Sequence, residues 1–257
     1  MSRSISPQHL VHQLRQLGVQ FGDVLLVHTS LSAIGPVDGG PQGFIQALQL
    51  AIGSTGTLVM PSMSVDDTLP FDPATTECAW LGVTANTFWR LPGVSRGNSP
   101  HAFAAIGRHA AIFTRPQPWD LPHGTQTPVG WLAALDAKVL LAGVGHSSNS
   151  TIHLAEFLVG VPYRTSTSLT ILQAGRPVAI NYGEINHCCR RFDQMDGWLD
   201  QAGWQTKGSL GNGLGRLMRS RHILQAAIPR LKADPFLFLH PVGVDEECDA
   251  ARASLPA

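Results

Sequence analysis

No stretch of this sequence approaches the roughly 18 consecutive apolar residues that a membrane-spanning helix needs, so no part of it is expected to cross a bilayer. Neither sign of charge prevails. Eighteen Lys and Arg stand against 18 Asp and Glu, which removes the net field that would draw nucleic acid or an anionic membrane surface in bulk. A charged partner must therefore be met by a local cluster. Cysteine is scarce, with Cys78, Cys188, Cys189 and Cys248 and no C-x-x-C pair, so buried free thiols in a reducing compartment are expected, with no metal. The opening "MSRSISPQHLVHQLRQLG" lacks the apolar segment of a secretory signal, which makes the cytoplasm the expected location. Internal repeats, low-complexity linkers, a Walker-type lysine loop and a G-x-G-x-x-G pattern are also missing. The expectation is one domain over residues 1–257.

What is present reads as an α/β protein. Hydrophobic residues make up 44% of the chain, enough to bury a substantial core. Ser6 and Pro7 open a helix whose Leu10, Val11, Leu14 and Leu17 share one face, and Gly18 ends it. "VLLVH" (Val24 to His28) is a short apolar run of the kind buried in a sheet. A helix follows, carrying Phe44, Ile45, Leu48 and Ile52 together, and then the strand "GTLVMP". This spacing predicts a parallel crossover. Further helices are predicted near 85–91 and 129–135, with strands at "AFAAIG" and "KVLLAGVG". "SLTILQAGRPVAINY" predicts an antiparallel hairpin turning at Ala174, Gly175 and Arg176. The fold class expected is a mixed, largely parallel central sheet flanked by helices, with an antiparallel hairpin and a helical C-terminal part.

Three segments carry chemistry. "SMSVDDTLPFDPATTECAW" follows a strand and holds Asp66, Asp67 and Asp72; loops at the C-terminal ends of strands are where α/β proteins place ligands. "HTSLSAIGPVDGG" also follows a strand and offers Thr29, Ser30 and Ser32 beside flexible backbone at Gly35. "NSTIHLAEF" places His153 and Glu156 three residues apart, early in a helix capped by Asn149 or Ser150. The helix N-terminus favours a neutral imidazole able to accept a proton. His-x-x-Glu supplies only two metal ligands, without the second histidine of H-E-x-x-H. A hydrogen-bonded histidine with only a structural role is the plainer alternative. "HCC" (His187, Cys188, Cys189) and "DEEC" (Asp245 to Cys248) raise a separate question, since His, Cys and Asp are all competent zinc ligands.

Read together, "LLVHTSLSAIGPVDGGPQGFIQAL", "GTLVMPS", "LPFDPATT", "NTFWRLPGVSR", "KVLLAGVGHSSNSTIHLAE" and "NHCCRRF" resemble, in order and spacing, the aminoglycoside 3-N-acetyltransferases, and within them the branch that accepts apramycin as well as gentamicin-type drugs. The resemblance runs from about residue 8 to "EECDAAR". It implies transfer of acetyl from acetyl-CoA to the amine on carbon 3 of a 2-deoxystreptamine ring. It assigns catalytic roles to His153, to Glu184 as its carboxylate partner and to Asp67 on the substrate side, with Glu156 left either to the helix surface or to a supporting place behind the catalytic groups. A polycationic drug needs acidic contacts, for which Asp66, Asp67, Glu184, Asp193 and Asp196 are candidates. The cofactor loop is assigned to Thr29, Ser30, Ser32, Ser62 and Arg96. The sequence departs from the family where Arg-Ser-x-His-Pro is usual: "RGNSPHAFAA" carries Gly97, Ser99 and Ala102, and Met63 stands where near relatives have Trp. An acetyltransferase of another small amine, and a protein that only sequesters the drug, are the competing readings.

Overall fold

Polar caps and apolar periodicity set the elements of the computed structural model, which describes residues 4–64 and 69–255. In chain order they are α1 (Pro7–Leu17), β1 (Val24–Thr29), α2 (Leu31–Ile34), α3 (Gly40–Ile52), β2 (Thr57–Pro61), α4 (Val83–Phe88), β3 (Ser95–Arg96), β4 (Phe103–Gly107), α5 (Ala110–Phe113) and α6 (Pro128–Ala134). Then come β5 (Lys138–Ala142), α7 (Thr151–Val159), β6 (Thr165–Gln173), β7 (Arg176–Glu184), α8 (Gln194–Gln201), β8 (Gln205–Leu210), β9 (Gly213–Arg219), α9 (Ser220–Ala233) and α10 (Glu246–Ala253). Helix α1 begins as its sequence predicts: the Ser6 hydroxyl accepts from the His9 N–H at 3.3 Å, and Gly18 closes it in the left-handed region at φ 108°. No helix among the described residues is long and apolar enough to cross a membrane.

Seven strands form one sheet in the order β3-β4-β2-β1-β5-β9-β8, and β6 with β7 forms a separate hairpin. The sheet is mixed, as expected, but its parallel part is narrower than the sequence reading. Only β2, β1 and β5 run parallel, and the pairings outside them are antiparallel. These three strands are covered on both faces, which explains their unbroken apolar runs. Leu26, Val59, Val139 and Leu141 point into a core shared with α5 to α10. Leu25, Val27, Leu58, Met60 and Leu140 point into a second core with α1, α3 and α4. Phe44, Ile45, Leu48 and Ile52 lie in that second core together.

The C-terminal part is not all helical, because the glycine-rich "QTKGSLGNGLGRLMR" forms β8 and β9. Gly208 pairs with Gly215 across this hairpin, and a Cβ on either would press on the Leu17 side chain. The glycines thus let α1 lie directly on the sheet. The predicted β6/β7 hairpin is present and longer than its sequence signal, with Gln173 opposite Arg176. Ala174 and Gly175 both have positive φ (51° and 75°), as a two-residue primed turn requires.

Candidate active site

The C-terminal ends of β1 and β2 and the loop after β5 open into a cleft of about 950 Å³, closed on the far side by the β6/β7 hairpin. Its position follows the rule that open α/β sheets bind ligands beyond the carboxyl ends of parallel strands. His28, Thr29, Ser30 and Ser32 come from β1 and the turn after it, Met63 and Ser64 from beyond β2, Ser150 and His153 from α7, and Tyr182 and Glu184 from β7.

Helix α7 sets the centre of this cleft. Asn149 caps it, accepting from the Thr151 N–H at 3.2 Å, and the i, i+3 spacing puts Glu156 beneath His153. Glu156 is fully buried. Its Oε2 takes the Nδ1–H of His153 at 2.7 Å, and its Oε1 takes the Tyr163 hydroxyl at 2.7 Å and the Nε2–H of His187 at 2.9 Å. Burial works against the carboxylate, but the two imidazoles outweigh it and hold its pKa at about 2. An ionised carboxylate can only accept, so all three partners donate. The His187 ring is then fixed as well, its Nδ1 accepting from the Cys189 N–H at 3.1 Å.

The carboxylate that meets His153 Nδ1 is thus Glu156, where the resemblance leads one to expect Glu184. Of the two places expected for Glu156, it takes the one behind the histidine and not the one on the helix surface. Burial raises the Glu184 pKa, and Glu184 Oε2 accepts from the Tyr182 hydroxyl at 3.3 Å, which in turn receives the Nε2–H of His101 at 2.6 Å. The surroundings of His153 also act in the opposite direction to the helix-terminus expectation. Burial favours the neutral ring, yet the Cys189 sulfur 3.4 Å from Nε2 and the Glu156 carboxylate together push its pKa well above the ordinary imidazole value. Its neighbours are held neutral: burial lowers His28 to about 3 and His101 to about 4. His123, stacked on His153 at 4.6 Å, is lowered by burial and by the charge of His153.

The remaining expectations divide. Thr29, Ser30 and Ser32 line the cleft; the Ser30 and Ser32 hydroxyls lie 3.0 Å apart, and Thr29 Oγ1 is buried without a hydrogen-bond partner among the described residues. Ser62 and Arg96 do not line it. Ser62 is fully buried, and Arg96 donates to Ser62 Oγ at 3.3 Å and to the Thr76 carbonyl at 2.6 Å, with its guanidinium over the rings of Trp89 and Phe71. Such a clamp ties the 71–76 loop to the sheet and commits four of the five guanidinium N–H groups within the protein. Asp193 and Asp196 are also outside the cleft wall. Asp193 Oδ1 accepts from the Ser147 N–H at 2.9 Å; Asp196 is neutralised by Lys207 at 2.6 Å and Arg216 at 2.8 Å. Asp66 and Asp67 lie outside the described residues.

The sequence reading missed His123, Trp80 and Glu247 in the cleft wall. Trp80, half exposed, donates its indole N–H to the Met63 carbonyl at 2.9 Å. None of the three sits in a spacing that marks it. The departures after Arg96 are structurally mild. Gly97 is not in the left-handed region, and Ser99 is a fully buried residue whose hydroxyl accepts from the His101 N–H at 3.2 Å.

A buried carboxylate that holds an imidazole at the wall of a polar cleft is an arrangement able to move a proton to or from a bound group. A family model of the aminoglycoside 3-N-acetyltransferases matches residues 26–232, and the chain belongs to that family. It is 48% identical over 234 residues to aminoglycoside N(3)-acetyltransferase IV of a Salmonella species, covering 90% of this chain and 89% of that one. It is 33% identical over 217 residues to aminoglycoside N(3)-acetyltransferase IX of Micromonospora chalcea, covering 76% and 75%. Among solved structures, the apoenzyme of aminoglycoside acetyltransferase AAC(3)-IVa superposes with a TM-score of 0.95 at 47% identity over 99% of each chain. A histidine-to-alanine variant of that enzyme in complex with apramycin gives 0.90 at 44% identity, covering 96% of this chain and 100% of that one.

Proposed function

We propose that this chain acetylates the 3-amino group of a 2-deoxystreptamine aminoglycoside with acetyl-CoA, the activity by which it would confer antibiotic resistance. The observation that carries this reading is the buried Glu156 holding His153 Nδ1 at 2.7 Å while the ring faces the cleft. The amine of the drug is protonated near neutral pH and must lose a proton to attack a thioester. His153 Nε2 takes it as the nitrogen bonds to the acetyl carbon; the carbon–sulfur bond then breaks, and the second proton lost by the nitrogen passes to the departing CoA thiolate. Glu156 keeps the tautomer and stabilises the imidazolium, and base assistance of this kind contributes about 10²–10⁴-fold. Glu184 and Glu247 give the cleft acidic groups for the drug's ammonium groups. Thr29, Ser30 and Ser32 offer hydroxyls to acetyl-CoA. Support also comes from the similarity to the relative crystallised with gentamicin and with apramycin.

The test is incubation of apramycin, gentamicin and neomycin with acetyl-CoA, read by mass spectrometry and NMR. Acetyl on the 3-amine is expected. Acetylation of some other small amine alone, or drug binding with no thiol release, would replace this reading with one of its rivals. The variant His153→Ala is expected to lose most of kcat while still binding drug; near-normal turnover would remove His153 from the role. The Cys189 sulfur 3.4 Å from Nε2 favours a second reading, in which that thiol accepts the acetyl group and passes it to the amine. Direct transfer predicts that Cys189→Ala still turns over, whereas the covalent route predicts that it does not.

A further inference from the structure

Two of the cysteines outside the cleft lie together. Cys188 and Cys248 are 60 residues apart in sequence, yet their sulfurs are 3.7 Å apart. The Asp245 carboxylate joins them, all three ligand atoms falling within 4.8 Å of one another. One side of this cluster is the turn after β7 that also carries His187 and Cys189; the other is the first turn of α10. Asp245 caps α10, accepting from the Cys248 N–H at 3.1 Å, so the D-x-x-C spacing directs a carboxylate and a thiol to one point in the manner of a C-x-x-C knuckle. Cys188 is met by a backbone hydrogen bond from Arg190, the kind of contact that steadies a metal-bound sulfur. Two thiolates sharing one tetrahedral zinc, each about 2.3 Å from the metal, are separated by about 3.8 Å. The reduced pair already stands at that separation.

We propose that Cys188, Asp245 and Cys248 form a binding site for a single thiophilic divalent cation of the zinc type, with water in the fourth position. The two thiolates select a borderline or soft ion over magnesium or calcium. Binding at neutral pH expels the two thiol protons into solvent while the carboxylate enters already ionised, so affinity rises with pH. The cation would pin the turn bearing His187 and Cys189 to α10, whose Glu247 lines the cleft. Its role is structural support for the cleft. The other cluster among the described residues that brings three ligand atoms together, His153, Glu156 and His187, is already closed by the hydrogen bonds to Glu156.

The full chain, purified under reductant, is tested by elemental analysis and by cobalt(II) titration, in which thiolate ligation gives a sulfur-to-cobalt charge-transfer band. One metal per chain and that band are expected, both lost in Cys188→Ser and in Cys248→Ser and retained in His153→Ala. Asp245→Cys, which completes a C-x-x-C pair, is expected to tighten zinc binding by at least tenfold. This arm holds even if the serine variants fold poorly. Metal at trace level with no band, metal retained by the double Cys188→Ser, Cys248→Ser variant, metal lost instead in His153→Ala, or unchanged affinity in Asp245→Cys would each overturn the proposal. So would a Cys188–Cys248 disulfide in protein kept under reductant.

Discussion

A carboxylate with no access to water and three donors pointed at it is the most consequential residue of this chain. Glu156→Gln keeps the shape but offers an NH₂ where only acceptors fit. One of His153, His187 and Tyr163 is left facing a donor. The variant is expected to lose about 3 kcal/mol of stability, since it breaks a buried charged network, and to lose about 10²–10⁴-fold in kcat as the imidazole loses its orienting charge; a melting curve and a rate measurement check both. The pH dependence follows from the same pair. Glu156, depressed to about 2, contributes stability that is complete above the ordinary carboxylate value and is lost as pH falls toward 2. His153, raised, contributes stability that is complete below the ordinary imidazole value and is lost as pH rises through its elevated folded value. A base must be unprotonated, so kcat/KM is expected to climb with an apparent pKa above 6.5. A midpoint at or below that value in a pH–rate profile would contradict the electrostatics of the pair.

Among the elements, those whose side chains alternate between two cores were legible in the sequence, and so was α7 with its cap. What escaped was pairing between distant segments. The His-x-x-Glu spacing already put Glu156 one turn from His153, but the sequence does not say that His187 and Tyr163 arrive from other segments to hold that carboxylate beneath the ring. Asp193 and Asp196 read as free acids because Ser147, Lys207 and Arg216 are remote in sequence. The β8/β9 hairpin was hidden by glycines that serve close packing against Leu17. The turn after β3 gives a test at this scale. Gly97 has ordinary backbone geometry, and a Cβ there would meet Ala102 at 3.5 Å and the Phe103 carbonyl at 3.7 Å, both ordinary contacts, so Gly97→Ser is expected to change the melting temperature little. Ser99→His forces an imidazole into a fully buried position and is expected to lower it sharply. Equal tolerance of the two, seen by thermal melting, would mean the 97–99 turn is looser than its burial indicates.

For the molecule as a whole, the balance of 18 basic and 18 acidic side chains leaves drug capture to local charge. Glu247→Gln, at the exposed rim of the cleft, is expected to raise the KM for a polycationic drug and to weaken its dependence on salt, because one screened attraction is gone. The KM for acetyl-CoA is expected to stay put. Initial rates at low and high ionic strength decide it; an identical salt response in the variant and the parent chain would place the drug's charge recognition elsewhere.

The hairpin that closes the cleft is a sheet of its own, and among the described residues a backbone hydrogen bond from the Phe71 N–H to the Thr170 carbonyl at 2.9 Å links it to the loop that the Arg96 clamp holds. The Phe71 amide is therefore a reporter built into the chain. Whenever the hairpin lifts away, this proton is released to solvent, and its deuterium uptake counts the openings. Saturating drug is expected to slow uptake at Phe71 and along Thr165–Gln173, while β1 and β5, sealed between two cores, show no change. Protection spread evenly over the β8/β9 hairpin would mean that closure involves the entire sheet and not this flap alone.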